Sequence, residues 1–129
     1  MKRLRLSVGL CLIASSVVAE DCSKSPKLVS ACLVIHGRAS FGNGNPALRI
    51  WRVGTHHMYG VLPDETPLMP KQVIEALDGF NHSVFANYEV CPYTREVSGA
   101  MTMVCVQSAS NLVVTKYRGV EVVRKKDHD

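Results

Sequence analysis

Between Leu28 and Leu62, apolar and polar residues alternate in three runs separated by two turn signals, a pattern that predicts three antiparallel strands. The first run, Leu28 to Phe41, carries Gly37, where the missing side chain predicts a bulge or bend in a curved sheet. Gly42-Asn43-Gly44-Asn45 follows, and its Asn-Gly dipeptide supplies positive-φ residues at low steric cost, which marks a hairpin. Pro46 lacks an N–H and fits the first residue of a strand, so the second strand is expected from about Ala47 to Val53. Gly54-Thr55 fits a two-residue turn that returns the chain as His56 to Leu62.

Beyond the meander, Pro63-Asp64-Glu65-Thr66-Pro67 reads as a loop. Pro70 suits the first turn of a short helix, with Val73, Ile74 and Leu77 on one side of it and Gly79 at its stop. Ser83 to Cys91 alternates as a fourth strand, with Val84, Ala86, Tyr88 and Val90 set against Asn87 and Glu89. Met101 to Gln107 reads as a fifth strand after the loop Pro92 to Ala100, and Leu112 to Tyr117 as a sixth. The expected fold is mainly β: a small five- or six-stranded antiparallel barrel with one short helix between strands 3 and 4.

The ends change this picture. Lys2, Arg3 and Arg5 precede an apolar stretch from Leu6 to Val18 and the small Ala19, which predicts a signal peptide over residues 1–19. That stretch is too short to span a bilayer, so no membrane insertion is expected once it is removed. Neither Cys11 nor Cys22 follows a small residue suited to lipid anchoring. The expected organisation is a single domain over 20–119 with a polar tail over 120–129, exported to a periplasm or to the outside. Removal of the leader leaves twelve basic against eleven acidic residues, a net +1, so no basic surface argues for nucleic acid.

An oxidising destination makes Cys22, Cys32, Cys91 and Cys105 a set for two disulfides, for which three connectivities exist. Folding strands 4 and 5 about the centre of their loop sets Cys91 opposite Cys105, which favours that pair and leaves Cys22 with Cys32. No Cys-x-x-Cys or His-x-x-x-His spacing is present, so neither a metal nor a cofactor is expected.

Three strands, a helix and a hairpin, over Leu28 to Gln107, form an order that resembles the oligonucleotide/oligosaccharide-binding (OB) fold. A lipocalin-like or other small closed barrel is the alternative. The phrase GRASFGNGNPALRIWRVGT, Gly37 to Thr55, also resembles a segment of uncharacterised small exported bacterial proteins, which implies export but no activity.

Strand alternation assigns the two faces. Ile35, Gly37, Ala39, Phe41, Leu48, Ile50, Tyr59 and Val61 fall on the core side, with Arg52 and His57 at one end. Val34, His36, Arg38, Ser40, Arg49, Trp51, His56 and Met58 fall on the outer side. The lone tryptophan thus lies among His36, Arg38, Arg49 and His56. Two arginines brought together call for an acid or an anionic ligand, and in the OB fold the strand 2–3 face is the usual binding surface. These five residues are the candidate binding set. The bland reading is a wettable outer face on which Trp51 packs under arginine stems or the C-terminal segment.

No role-complete catalytic constellation is present. His56 and His57 point to opposite faces, His82 and His128 lie in a loop and the tail, and Ser98 lacks the flanking glycines of a nucleophile elbow. The expected function is a non-enzymatic binding module for an anionic or carbohydrate ligand or a partner protein. The alternative is a small exported hydrolase or other enzyme with a site near His36, His56 and Asp64-Glu65.

Overall fold

The computed structural model describes residues 22–62, 69–116 and 122–123. The leader expected over 1–19, the Asp64-Glu65 loop and the tail, apart from the backbone of Val122 and Val123, lie outside them. Strands β1 (Leu33–Phe41), β2 (Leu48–Arg52) and β3 (Met58–Val61) form the meander, and α1 (Lys71–Leu77) follows. Then come β4 (His82–Pro92), β5 (Thr102–Lys116) and the two-residue β6 (Val122–Val123).

The sheet order is β3-β2-β1-β4-β5-β6, and β3 also pairs with β5, so five strands close a ring of hydrogen bonds. The closing pair is parallel, with Tyr59 beside Thr102 and Val61 beside Val104. The sheet is therefore mixed, which corrects the all-antiparallel expectation. Alternation specifies which face each residue shows, but not the direction of a partner strand far away in the chain.

The inner face carries the core: Ile35, Ala39, Leu48, Ile50, Tyr59, Val61, Val84, Tyr88, Val90 and Val104, all nearly free of solvent. Tyr88, among the largest of the fully buried side chains, donates its hydroxyl to the Val84 carbonyl at 2.6 Å. Burial pushes this phenol well above its ordinary range, an effect partly opposed by a backbone hydrogen bond. Helix α1 adds Val73, Ala76 and Leu77 to the same core. Its first free N–H groups, on Val73 and Ile74, bond to the Pro70 carbonyl, and Asp78 and Gly79 end it with left-handed backbone.

Four local expectations are corrected. No bulge occurs at Gly37, which pairs without a break to Arg52 on one side and Ala86 on the other. A Cβ there would come 2.5 Å from Ile50 Cγ2 and 3.1 Å from the Trp51 carbonyl oxygen, so the glycine serves close packing. The irregularities fall instead in β5, opposite Phe85–Asn87 and Glu89–Val90. There the two expected strands are one, because the bulges absorb extra residues without interrupting the pairing; Asn111 takes the positive φ of 56° that one of them needs. Residues 28–32 form an arm ahead of β1, and the second turn is longer than two residues, closed by Arg52 N–H to the His57 carbonyl and Thr55 N–H to the Arg52 carbonyl.

The disulfides join Cys22 to Cys105 and Cys32 to Cys91, so both expected pairings are exchanged. Cys91 does stand opposite Cys105 in the β4–β5 register. On its other side, however, β4 pairs with β1, and Leu33 opposite Val90 brings Cys32 to within a Cα–Cα distance of 4.1 Å of Cys91. A strand in the middle of a sheet has two neighbours, and the bond formed on the arm's side. Cys105 is then free to hold the single 3-10 turn Cys22–Lys24.

Candidate functional site: an aromatic and arginine row on the outer face

Because β1 is flanked by β2 and β4 in unbroken register, one row of outward side chains crosses five strands. It reads Met58, Trp51, Arg38, Phe85 and Val113, each paired with the next. At its centre the Arg38 guanidinium carbon lies 5.0 Å from the Trp51 ring centroid and 6.0 Å from that of Phe85. The planar cation is thus held between two ring faces, an arrangement in which the quadrupole of each ring attracts positive charge. Among the described residues no carboxylate pairs with Arg38. Trp51 is half-buried and donates its indole N–H to the Thr55 carbonyl at 2.8 Å, which fixes the ring over the second turn. Thr55 in turn donates its hydroxyl to the Arg52 carbonyl and accepts from His57 N–H.

The other expected site residues are distributed as follows. His36 lies one row along, exposed, donating from Nδ1 to Asn87 Oδ1 at 3.2 Å and stacked on Phe85 at 6.3 Å between centroids. Arg49 turns away from the row: its Nε donates to the Pro46 carbonyl and its Nη2 to the Asn43 carbonyl, so it braces the first turn. His56 is exposed in the second turn, and no hydrogen bond or ring contact joins it to His36 among the described residues. Arg38, Trp51 and His36 therefore share one surface, while Arg49 and His56 do not join it. Phe85 was not among the expected residues. Parity within Ser83 to Cys91 already places it outward; its neighbour across the sheet depended on β1 pairing with β4, which the sequence does not announce.

On the other side of the second turn, His57 faces the β4–β5 connection. Its Nδ1 stands 3.8 Å from Glu96 Oε1 and its Nε2 2.8 Å from Thr102 Oγ1, with its ring edge-on to Tyr59 at 4.7 Å. One ring nitrogen of His57 thus faces a carboxylate and the other shares a hydrogen bond with the Thr102 hydroxyl. Cys32, Glu89 and Cys91 approach one another as metal ligands do, but both sulfurs are consumed in their own bridge. No protein family's sequence profile matches the chain, and no curated protein or solved structure does. The two disulfides, with no described helix long and apolar enough to cross a membrane, are compatible with an exported protein.

Proposed function

We propose that this chain is an exported, non-enzymatic binding module built as an OB-fold-like barrel, and that its outer row receives an anionic sugar. Support for the barrel comes from the ring order β1-β2-β3-β5-β4, closed by β3 against β5, with α1 between β3 and β4 in the chain. Export to a periplasm or beyond rests on the leader composition and on the use of every mature cysteine in a bridge.

The observation that carries the reading is Arg38 held between Trp51 and Phe85 with no acidic partner among the described residues. A ring on each side confines the guanidinium, and no described carboxylate takes its N–H donors, which are left for a carboxylate, sulfate or phosphate, while Trp51 offers a flat apolar surface beside the charge. A sugar ring presents that complement: an apolar C–H face with an anionic substituent at its edge. The alternative hydrolase reading is the weaker one, because His36 is spent on Asn87 and does not meet His56.

The test is a tryptophan fluorescence titration with uronic-acid oligosaccharides and their neutral, reduced counterparts. Saturable quenching by the acidic set alone is expected, with loss on Arg38→Gln and on Trp51→Ala. Equal binding by Arg38→Gln sinks the reading.

A further inference from the structure

A second site lies away from that row, in a cleft of about 290 Å³ between the arm before β1, the end of β3 and the β4–β5 connection. Val29, Leu33, Tyr59 and Pro92 give it apolar walls, and Arg95, Thr102 and the acid Glu96 are among the polar groups that line it. We propose that this cleft binds a small carboxylate whose body is apolar, with Arg95 pairing to the carboxylate.

Charge is the first argument. Glu96, the acid beside Arg95 in sequence, is directed at His57, 3.8 Å away, and no ion pair or hydrogen bond engages Arg95 among the described residues. With Glu96 turned to His57, a guanidinium that has no partner among the described residues, at the lip of a largely apolar hollow, selects an anion with a hydrophobic body, because either half alone leaves the other surface unsatisfied.

Preorganisation is the second. The arm and the start of the β4–β5 connection are tied down: Val29 N–H bonds to the Pro92 carbonyl, Tyr93 N–H to the Met103 carbonyl, and Met103 N–H to Thr94 Oγ1. At the back, the Thr102 hydroxyl is held by His57 at 2.8 Å. The disulfides frame the same space. Cys22 and Cys32 bracket the arm that carries Val29, and their partners, Cys105 and Cys91, lie on the strands that flank the β4–β5 connection. A cleft whose walls are cross-linked loses little conformational freedom on binding.

The test follows backbone amide resonances of the oxidised protein during titration with 3-phenylpropionate, using 3-phenylpropanamide as the uncharged control. Saturable shifts centred on Val29, Tyr59, Arg95 and Thr102 are expected for the acid. Arg95→Gln, a surface change that leaves the fold intact, should weaken binding about tenfold, as should the amide. A tripeptide ending in phenylalanine, with its terminus free or amidated, separates the two sources of such a group: a free metabolite-sized acid binds more tightly than the peptide if the cleft is closed at its back, and less tightly if a chain terminus is the natural occupant. Equal response to acid and amide, no effect of Arg95→Gln, or shifts centred on Arg38 and Trp51 would each overturn the proposal. Arg38→Gln must leave the cleft titration unchanged, so failure here is distinguishable from failure at the outer row.

Discussion

At Trp51, one side chain has two separable roles, holding the second turn through its indole N–H and presenting a ring beneath Arg38. Because the ring is only half-buried and the Thr55 carbonyl is solvated once released, Trp51→Ala should cost about 1–2 kcal/mol, below the roughly 3–5 kcal/mol of a buried tryptophan. Chemical denaturation measures this, and iodide, drawn in by Arg38, should quench the native emission. Gly37 behaves in the opposite way, since an added methyl meets Ile50 and the Trp51 backbone at once. Gly37→Ala should destabilise by about 1–3 kcal/mol and, if the outer row binds acidic sugars as proposed, weaken that binding, because the strand that moves carries Arg38 next to it. At Tyr88, burial raises the folded phenol's pKa above its unfolded value of about 10. Its contribution is complete below pH about 10 and is lost as the pH rises beyond it. Denaturation midpoints should therefore fall more steeply above pH 10 for the native chain than for Tyr88→Phe.

Among the elements, the meander was legible because each strand announces itself locally: alternation sets the face, and Gly44 and Gly54, both at positive φ, lie in the two reversals, although both turns are longer than two residues and Asn43 does not share the positive φ its Asn-Gly dipeptide suggested. The inward residues from Ile35 to Val61 follow from that parity alone, and so does the outward position of Arg38 and Trp51. What stayed hidden depends on contacts between distant segments. The parallel β3–β5 pairing, the β1–β4 neighbourhood that brings Phe85 to Arg38, and the choice of Cys32 over Cys105 by Cys91 have no local signature. Strand β5 shows the intermediate case, where Ser108 to Asn111 reads as a break because two bulges scramble the alternation. Asn111 tolerates the left-handed backbone its bulge demands. Asn111→Ala should cost about 1–2 kcal/mol by thermal melting, whereas Asn111→Gly should be nearly neutral.

Over the whole molecule, stability is distributed around a closed ring, with few free edges and a core filled from both the sheet and α1. The bridges close long segments, spanning sequence separations of 83 and 59 residues, and in the chain-entropy model each alone is worth about 4–5 kcal/mol. Their nested pattern also constrains how the protein comes to exist. A chain emerging from its N-terminus presents Cys22 and Cys32 to any oxidant long before Cys91 and Cys105, and the two early thiols are not partners in the finished fold. A Cys22–Cys32 bond, if it forms first, has to be unmade before the native pairs can form. Oxidising the reduced chain with oxygen alone should accumulate the Cys22–Cys32 form, trapped and mapped by mass spectrometry, and adding a disulfide isomerase should convert it to the native pair. Conversion by the isomerase but not by oxygen alone would show that reaching the native pairing needs thiol exchange as well as an oxidant.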